Sequence, residues 1–467
     1  MADIDVLEKL GKASAMHEKH ADDNALAILS TPVLYDNGEV KDLVSFSYIF
    51  GAAMLASCDG FSFGYGMVLI NSAGTYPEKS PNSPRHGVHT GFMTAMLELG
   101  AFVGCLTVAT AFFVVGAIIQ TAAPNYDALI AGRLIGSIGV GALAKGAPLH
   151  ISEFALPNWR GSLLVMEAIN IVLGAIVTYR AAYGTRVMDT EWSFRPPFLQ
   201  IVRALVVGGA IHLFPFSPRW LAMRSRNAGS LTALARLRIL AEIRFQEEIH
   251  DHEYPKHKDQ PVKTDLRQWL GLFNKRYLRR TLVALAIPFF QQFSGIDAIV
   301  YYAPTGQDRD RSLVLSGMIN IVQFVGSMHM LIYLDRAGRR TLAIIGGIAM
   351  AIPHLIMSGL MSRFSSDWPS NRGIAWSCVA LIYLYVFTYA ASYGLLAWVS
   401  PAEIFPSSQR AKEVSAGTAM IWLANFIVGV MVPDMLITLG WGTFLFFDLF
   451  CVAATMLSFL FVPETFE

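Results

Sequence analysis

The chain has 467 residues, 54% of them hydrophobic and only 15% charged, with a net charge of +1. An ordinary soluble protein carries about 25% charged residues, so this balance speaks against one large soluble core and for a polytopic membrane protein. No basic domain points to nucleic acid, and the four cysteines, Cys58, Cys105, Cys378 and Cys451, all lie in apolar runs, which indicates neither a disulfide framework nor a metal cluster.

Residues 1–43 form a polar tail without the pattern of a cleavable signal peptide, so the first apolar run serves as its own insertion signal. Runs long enough to span a bilayer follow at 44–70, 127–149, 161–183, 197–216, 280–303, 312–334, 340–362, 374–400, 413–437 and 441–462. Between the first two lies a continuous apolar stretch, 91–123, with one charge, Glu98, and no proline. As a single helix it would be about 50 Å long, against about 30 Å of hydrocarbon. Further on, the polar segment 217–279 is rich in arginine and lysine, as are the loops "DRAGRR" (335–340) and "QRAK" (409–412), whereas 304–311 and 363–373 hold fewer cations. The positive-inside rule assigns those three basic segments to the cytoplasm.

That orientation decides how 91–123 is read. A single crossing would reverse every later helix relative to the N-terminal tail. The charge bias therefore favours two short helices, roughly 91–106 and 107–122, turning near Cys105, each about 24 Å long. One tilted, over-long helix and an incompletely spliced message are the alternatives. The resulting organisation is a cytoplasmic tail (1–43), an N-terminal bundle (44–216), a cytoplasmic middle loop (217–279), a C-terminal bundle (280–462) and a short tail (463–467). A weak internal repeat supports two halves: Glu153 precedes Arg160, and Glu403 precedes Arg410, at the same spacing and at the end of an apolar run in each half.

Seen together, "GRLIGSIGVG" (132–141), "PLHISEFALPNWRGS" (148–162), "PFSPRWL" (215–221), "QQFSGIDAIVYYAP" (291–304), "DRAGRR", "AWVSPAEIFPSSQRAK" (397–412) and "VPET" (462–465) resemble the sugar porters of the major facilitator superfamily, fungal monosaccharide and hexose transporters above all. The resemblance covers nearly the whole chain from about residue 45. It implies an all-α fold of two six-helix bundles with a sugar site between them near the midplane. It also exposes gaps. The family's first D-R-x-G-R-R loop and the end of the helix before it are missing after Leu106, and "FGYG" (63–66) stands where the family has "FGYD".

The residues fit that chemistry. In the run at 280–303, Gln291, Ser294, Asp297 and Tyr301 step by 3, 3 and 4 and would share one helical face, with Gln292 beside them. Amides both donate and accept, which matches the hydroxyl pairs of a sugar. The plain alternative is that they only bond neighbouring helices. By resemblance Gln291 and Gln292 contact sugar, Asp297 stands where the family usually has Asn, and Gln323, Trp398 and Asn425 match further sugar-facing positions. Ala168 replaces a usual Gln, Ile421 an Asn and Leu395 a Pro, so the pocket is expected to be poorer in hydrogen bonds. Proton-coupled members pair an Asp in the first helix with an Arg; Arg133 is present, but Gly66 stands in the Asp position and Asp59 lies about 10 Å away along the axis. Glu98, Glu167 and Asp297 are further carboxylates in apolar runs, each costing about 2.5–3.5 kcal/mol at a helix centre and so each a functional candidate. Facilitated diffusion or weak proton coupling is the expectation.

At the cytoplasmic helix ends Asp335, Arg336, Arg339, Arg340, Glu403 and Arg410 are expected to form a gate of ion pairs, with Gly338 allowing the turn between two helices. In the other half Glu153 and Arg160 lack the missing loop's charges, which predicts a lopsided gate that favours the inward-open state. No catalytic, metal or cofactor site is implied. The partners are a sugar, protons and the bilayer, and the chain is expected to be a monomer in the plasma membrane. The alternative from another class is a sugar sensor or defective paralogue that binds without transporting.

Overall fold

In the computed structural model the described residues are 87–106, 111–123, 126–154, 160–185, 269–302 except 276, 309–404 except 366 and 369, and 407–462. The runs at 44–70 and 197–216, with Asp59 and Gly66, lie outside them, as do the N-terminal tail, "PFSPRWL", most of the middle loop and the final five residues. The described chain forms α1 (Gly87–Leu106), α2 (Ala111–Ala122), α3 (Tyr126–Phe154), α4 (Arg160–Thr185), α5 (Leu278–Gln292), α6 (Ile296–Tyr302), α7 (Arg309–Ala337), α8 (Arg339–Phe364), α9 (Arg372–Ala390), α10 (Tyr393–Glu403), α11 (Ser407–Thr438) and α12 (Gly442–Phe461). Helix is what lipid demands, because it satisfies its own backbone where no water is available. Eight stretches among the described residues are long and apolar enough to cross a membrane. Their outer faces carry large apolar side chains: on α8, Ile345, Ile348, Ile352, Leu355 and Ile356 are all exposed.

The long stretch resolves into two helices, and side-chain contacts give their direction. Along α1 and α3 the contacts climb together. A side chain on Gly100 would meet Leu134 and Ser137, one on Gly141 would meet the backbone of Ala101, and Lys145 Nζ donates to Cys105 O at 2.8 Å. These two helices are parallel. Along α2 the order reverses: Phe113 lies against Gly139 and Gly116 against Gly136, and Gln120 Nε2 donates to Gly132 O at 3.1 Å. So α2 is antiparallel to α3, and therefore to α1: the chain reverses direction within 91–123, as the two-helix reading expects. α1 ends at Leu106 and α2 at Ala122, as expected, and residues 107–110 between them lie outside the described residues. Small residues on three facing helices let the backbones approach closely.

α1 packs on α11, and α4 on α7. On the second seam Gly317 faces the Tyr179 ring and Ser162 Oγ donates to Leu331 O at 3.1 Å, so α4 and α7 are antiparallel. Two helix breaks matter for the site. Between α5 and α6, Gly295 has φ +94, a conformation costly for any residue with a side chain, and a Cβ there would lie 2.7 Å from the Phe447 ring. A second interruption, at residues 391–392, separates α9 from α10. At the turn between α7 and α8, Gly338 has φ 74 and its carbonyl accepts the N–H of Leu342 at 3.1 Å.

Candidate functional site

A cavity with about 710 Å³ of empty space, partly open to solvent, lies between α4 on one side and α5, α6, α7, α9, α10 and α11 on the other. Gln291, Gln292, Asp297, Gln323, Trp398 and Asn425, all proposed from the sequence, line it together. The side chain of Tyr301 lies outside the described residues. Asn320, Ser327 and Tyr389 also line it and were missed. Asn320 and Ser327 sit three and four residues from Gln323 on the same helix face, so helical spacing alone could have found them.

Helix breakage gives the polar wall its character. Gln291 and Gln292 end α5, and Asp297 opens α6 two residues after Gly295. Gln291 Nε2 donates to Tyr389 OH at 2.7 Å, which fixes the amide and leaves its oxygen free. Gln291 Oε1, Gln292 Oε1 and Asp297 Oδ2 are all buried and have no partner among the described residues. A buried acceptor without a partner costs about 1–3 kcal/mol, which a ligand's hydroxyl recovers. Ser294 departs from the expected shared face. The break turns it away from the cavity, and its Oγ donates to Gln291 O at 2.6 Å.

The facing wall is carbon: Ala168, Ile171, Val172 and Ala175 on α4. Just beyond Ala168 toward the start of α4, Leu163, Leu164, Val165 and Met166 form an apolar cluster with Ile151 of α3, Met330 and Leu334 of α7, Leu395 and Val399 of α10, and Val414 of α11. On α4, α7 and α10 alike, this plug lies between the cavity and the helix ends that carry the basic loops. Aliphatic side chains of both halves therefore interlock on that side of the cavity, which the ion-pair reading did not consider.

The expected gate residues are only partly brought together. Arg339 Nη1 donates to Leu334 O near the end of α7 at 3.2 Å. Arg340 Nη2 donates to Phe459 O on α12 at 2.8 Å, with its guanidinium 5.8 Å from the Phe459 ring centroid. These bonds satisfy or brace helix-end carbonyls. Arg133 and Arg410 are buried within α3 and α11. The side chains of Glu153, Arg160, Asp335, Arg336 and Glu403 lie outside the described residues.

Comparison with known proteins agrees with this geometry. The family model described as "Sugar (and other) transporter" matches residues 52–467. A high-affinity glucose transporter of Kluyveromyces lactis is 28% identical over 486 residues, covering 94% of this chain and 86% of the relative. The H(+)/hexose cotransporter 2 of Parachlorella kessleri is 26% identical, covering 90% of this chain and 84% of its own length. Among solved structures, the proton:xylose symporter XylE bound to 6-bromo-6-deoxy-D-glucose superposes with a TM-score of 0.75 at 25% identity, covering 90% of this chain and 97% of that one. The chain belongs to the sugar transporter family and is an integral, multi-pass membrane protein.

Proposed function

We propose that this member of the sugar transporter family carries monosaccharides across the plasma membrane by alternating access. Two bundles, 44–216 and 280–462, rock about a midplane site, joined through the segment 217–279. The observation that carries the reading is the set of three buried oxygens without partners among the described residues, on Gln291, Gln292 and Asp297, which line the cavity. A sugar's hydroxyls donate to them, and Trp398 offers its ring as an apolar surface. Asn320, Gln323 and Asn425 supply further donors and acceptors.

Proton coupling belongs to the same proposal. Two of the similar proteins are named as proton cotransporters, and Asp297 is the carboxylate that lines the cavity among the described residues. A carboxyl that takes a proton before the site closes enters the occluded state without a bare charge. Radiolabelled hexose uptake in a transporter-null host, together with binding to purified protein, tests the reading. Uptake above the empty host is expected, with alkalinisation of an unbuffered medium on sugar addition that Asp297→Asn abolishes. Binding without uptake would replace transport with sensing. Uptake without alkalinisation would leave a facilitative carrier.

A further inference from the structure

A buried histidine sits behind the sugar site, where neither cavity nor gate uses it. His354 lies on α8, whose other face is exposed to lipid, yet its own side chain has no exposed surface. Its ring packs 4.3 Å from Tyr385, 6.3 Å from Phe444 and 6.4 Å from Phe447, centroid to centroid. In this apolar nest its Nε2 lies 3.0 Å from Ser294 O. A carbonyl only accepts, so the imidazole donates.

Ser294 O needs that donor. In an unbroken helix it would accept the N–H of Ala298. Here the α6 ladder starts one residue later, with Ile299 N on Gly295 O at 3.3 Å. Side chains supply the carbonyl instead: His354 Nε2, Tyr385 OH at 2.9 Å and, weakly, Cys451 Sγ at 3.9 Å. The same residue's Oγ donates to Gln291 O. A path through Ser294 thus links a lipid-facing helix to the backbone carbonyl of Gln291.

We propose that His354 is a positioning residue for the sugar site. It pins the open turn between α5 and α6, and so sets where Gln291, Gln292 and Asp297 stand. The consequence for sugar rests on the transport reading above; the pin itself does not.

Two measurements on the full-length purified chain separate these. The first is hydrogen exchange of the peptide spanning residues 291–299. His354→Leu is expected to speed exchange there about tenfold, the loss of one buried hydrogen bond, while His354→Gln, whose amide N–H reaches the same oxygen, stays near wild type. The second is D-glucose counterflow in proteoliposomes. His354→Leu and Tyr385→Phe each raise KM with maximal rate within about twofold, and the double variant exceeds the product of the two because only then does Ser294 O lose both strong donors. Tyr385→Phe keeps its ring, so it covers the case in which His354→Leu does not fold. Unchanged exchange in both single variants overturns the pin. Faster exchange with unchanged KM overturns its role in positioning, as does His354→Gln abolishing proton movement at unchanged KM. If wild type moves no glucose, the transport reading fails while exchange still decides the pin.

Discussion

The two walls of the cavity are built from opposite materials. On the α5–α6 side a helix is broken and a positive-φ glycine spent to aim amide and carboxyl oxygens inward. On the α4 side an unbroken helix of 26 residues presents only aliphatic carbon. The difference separates recognition from movement. On the proposed reading, directional bonds hold a hydroxylated ligand against one half, while an apolar surface lets the other half slide past without bonds to break. The plug beneath follows the same logic, since aliphatic contacts across the two halves part with little directional penalty.

Substitutions break or sharpen this contrast. The largest effect is expected from Gln291→Leu, which removes the free acceptor and leaves Tyr389 OH without its bond; sugar affinity by equilibrium binding should fall about 30-fold. Next, Leu395→Ser puts a hydroxyl into the plug below the polar wall. Inward leak of a small thiol reagent, read on a reporter cysteine at Ser327, should rise about tenfold. Ala168→Gln gives the carbon wall a donor and acceptor. It should tighten binding about threefold and slow maximal counterflow, because that half must then break a bond to move. The smallest effect belongs to Val172→Ala, expected within about twofold of wild type on both measures. If Val172→Ala weakened binding as much as Gln291→Leu, the division of labour between the walls would not stand.

Much of the fold was legible because lipid makes it so: long apolar runs, separated by charged loops, must be helices. The described helices α3, α4, α5, α7, α8, α9, α11 and α12 each overlap a run read from sequence. Parity of charge was enough to expect a reversal within 91–123, but not what holds it: the glycines of α3 that meet α1 and α2 are a three-helix fact that no single window contains. At the site, helical spacing grouped Gln291 with Asp297, while the family resemblance pointed to Gln292, Gln323, Trp398 and Asn425. Spacing failed at Ser294, because it assumed a continuous helix through Gly295. Nor did it notice Tyr389 or His354, which look like ordinary members of apolar runs until another helix brings Gln291 or Ser294 within bonding distance.

The meeting of Gly116 and Gly136 leaves no room for a side chain on the first and hardly any on the second. Even a single methyl there would have to wedge α2 away from α3. Drift by small mutational steps is thereby barred at this crossing, and any lineage that lost one of the two glycines would need a compensating change on the helix opposite.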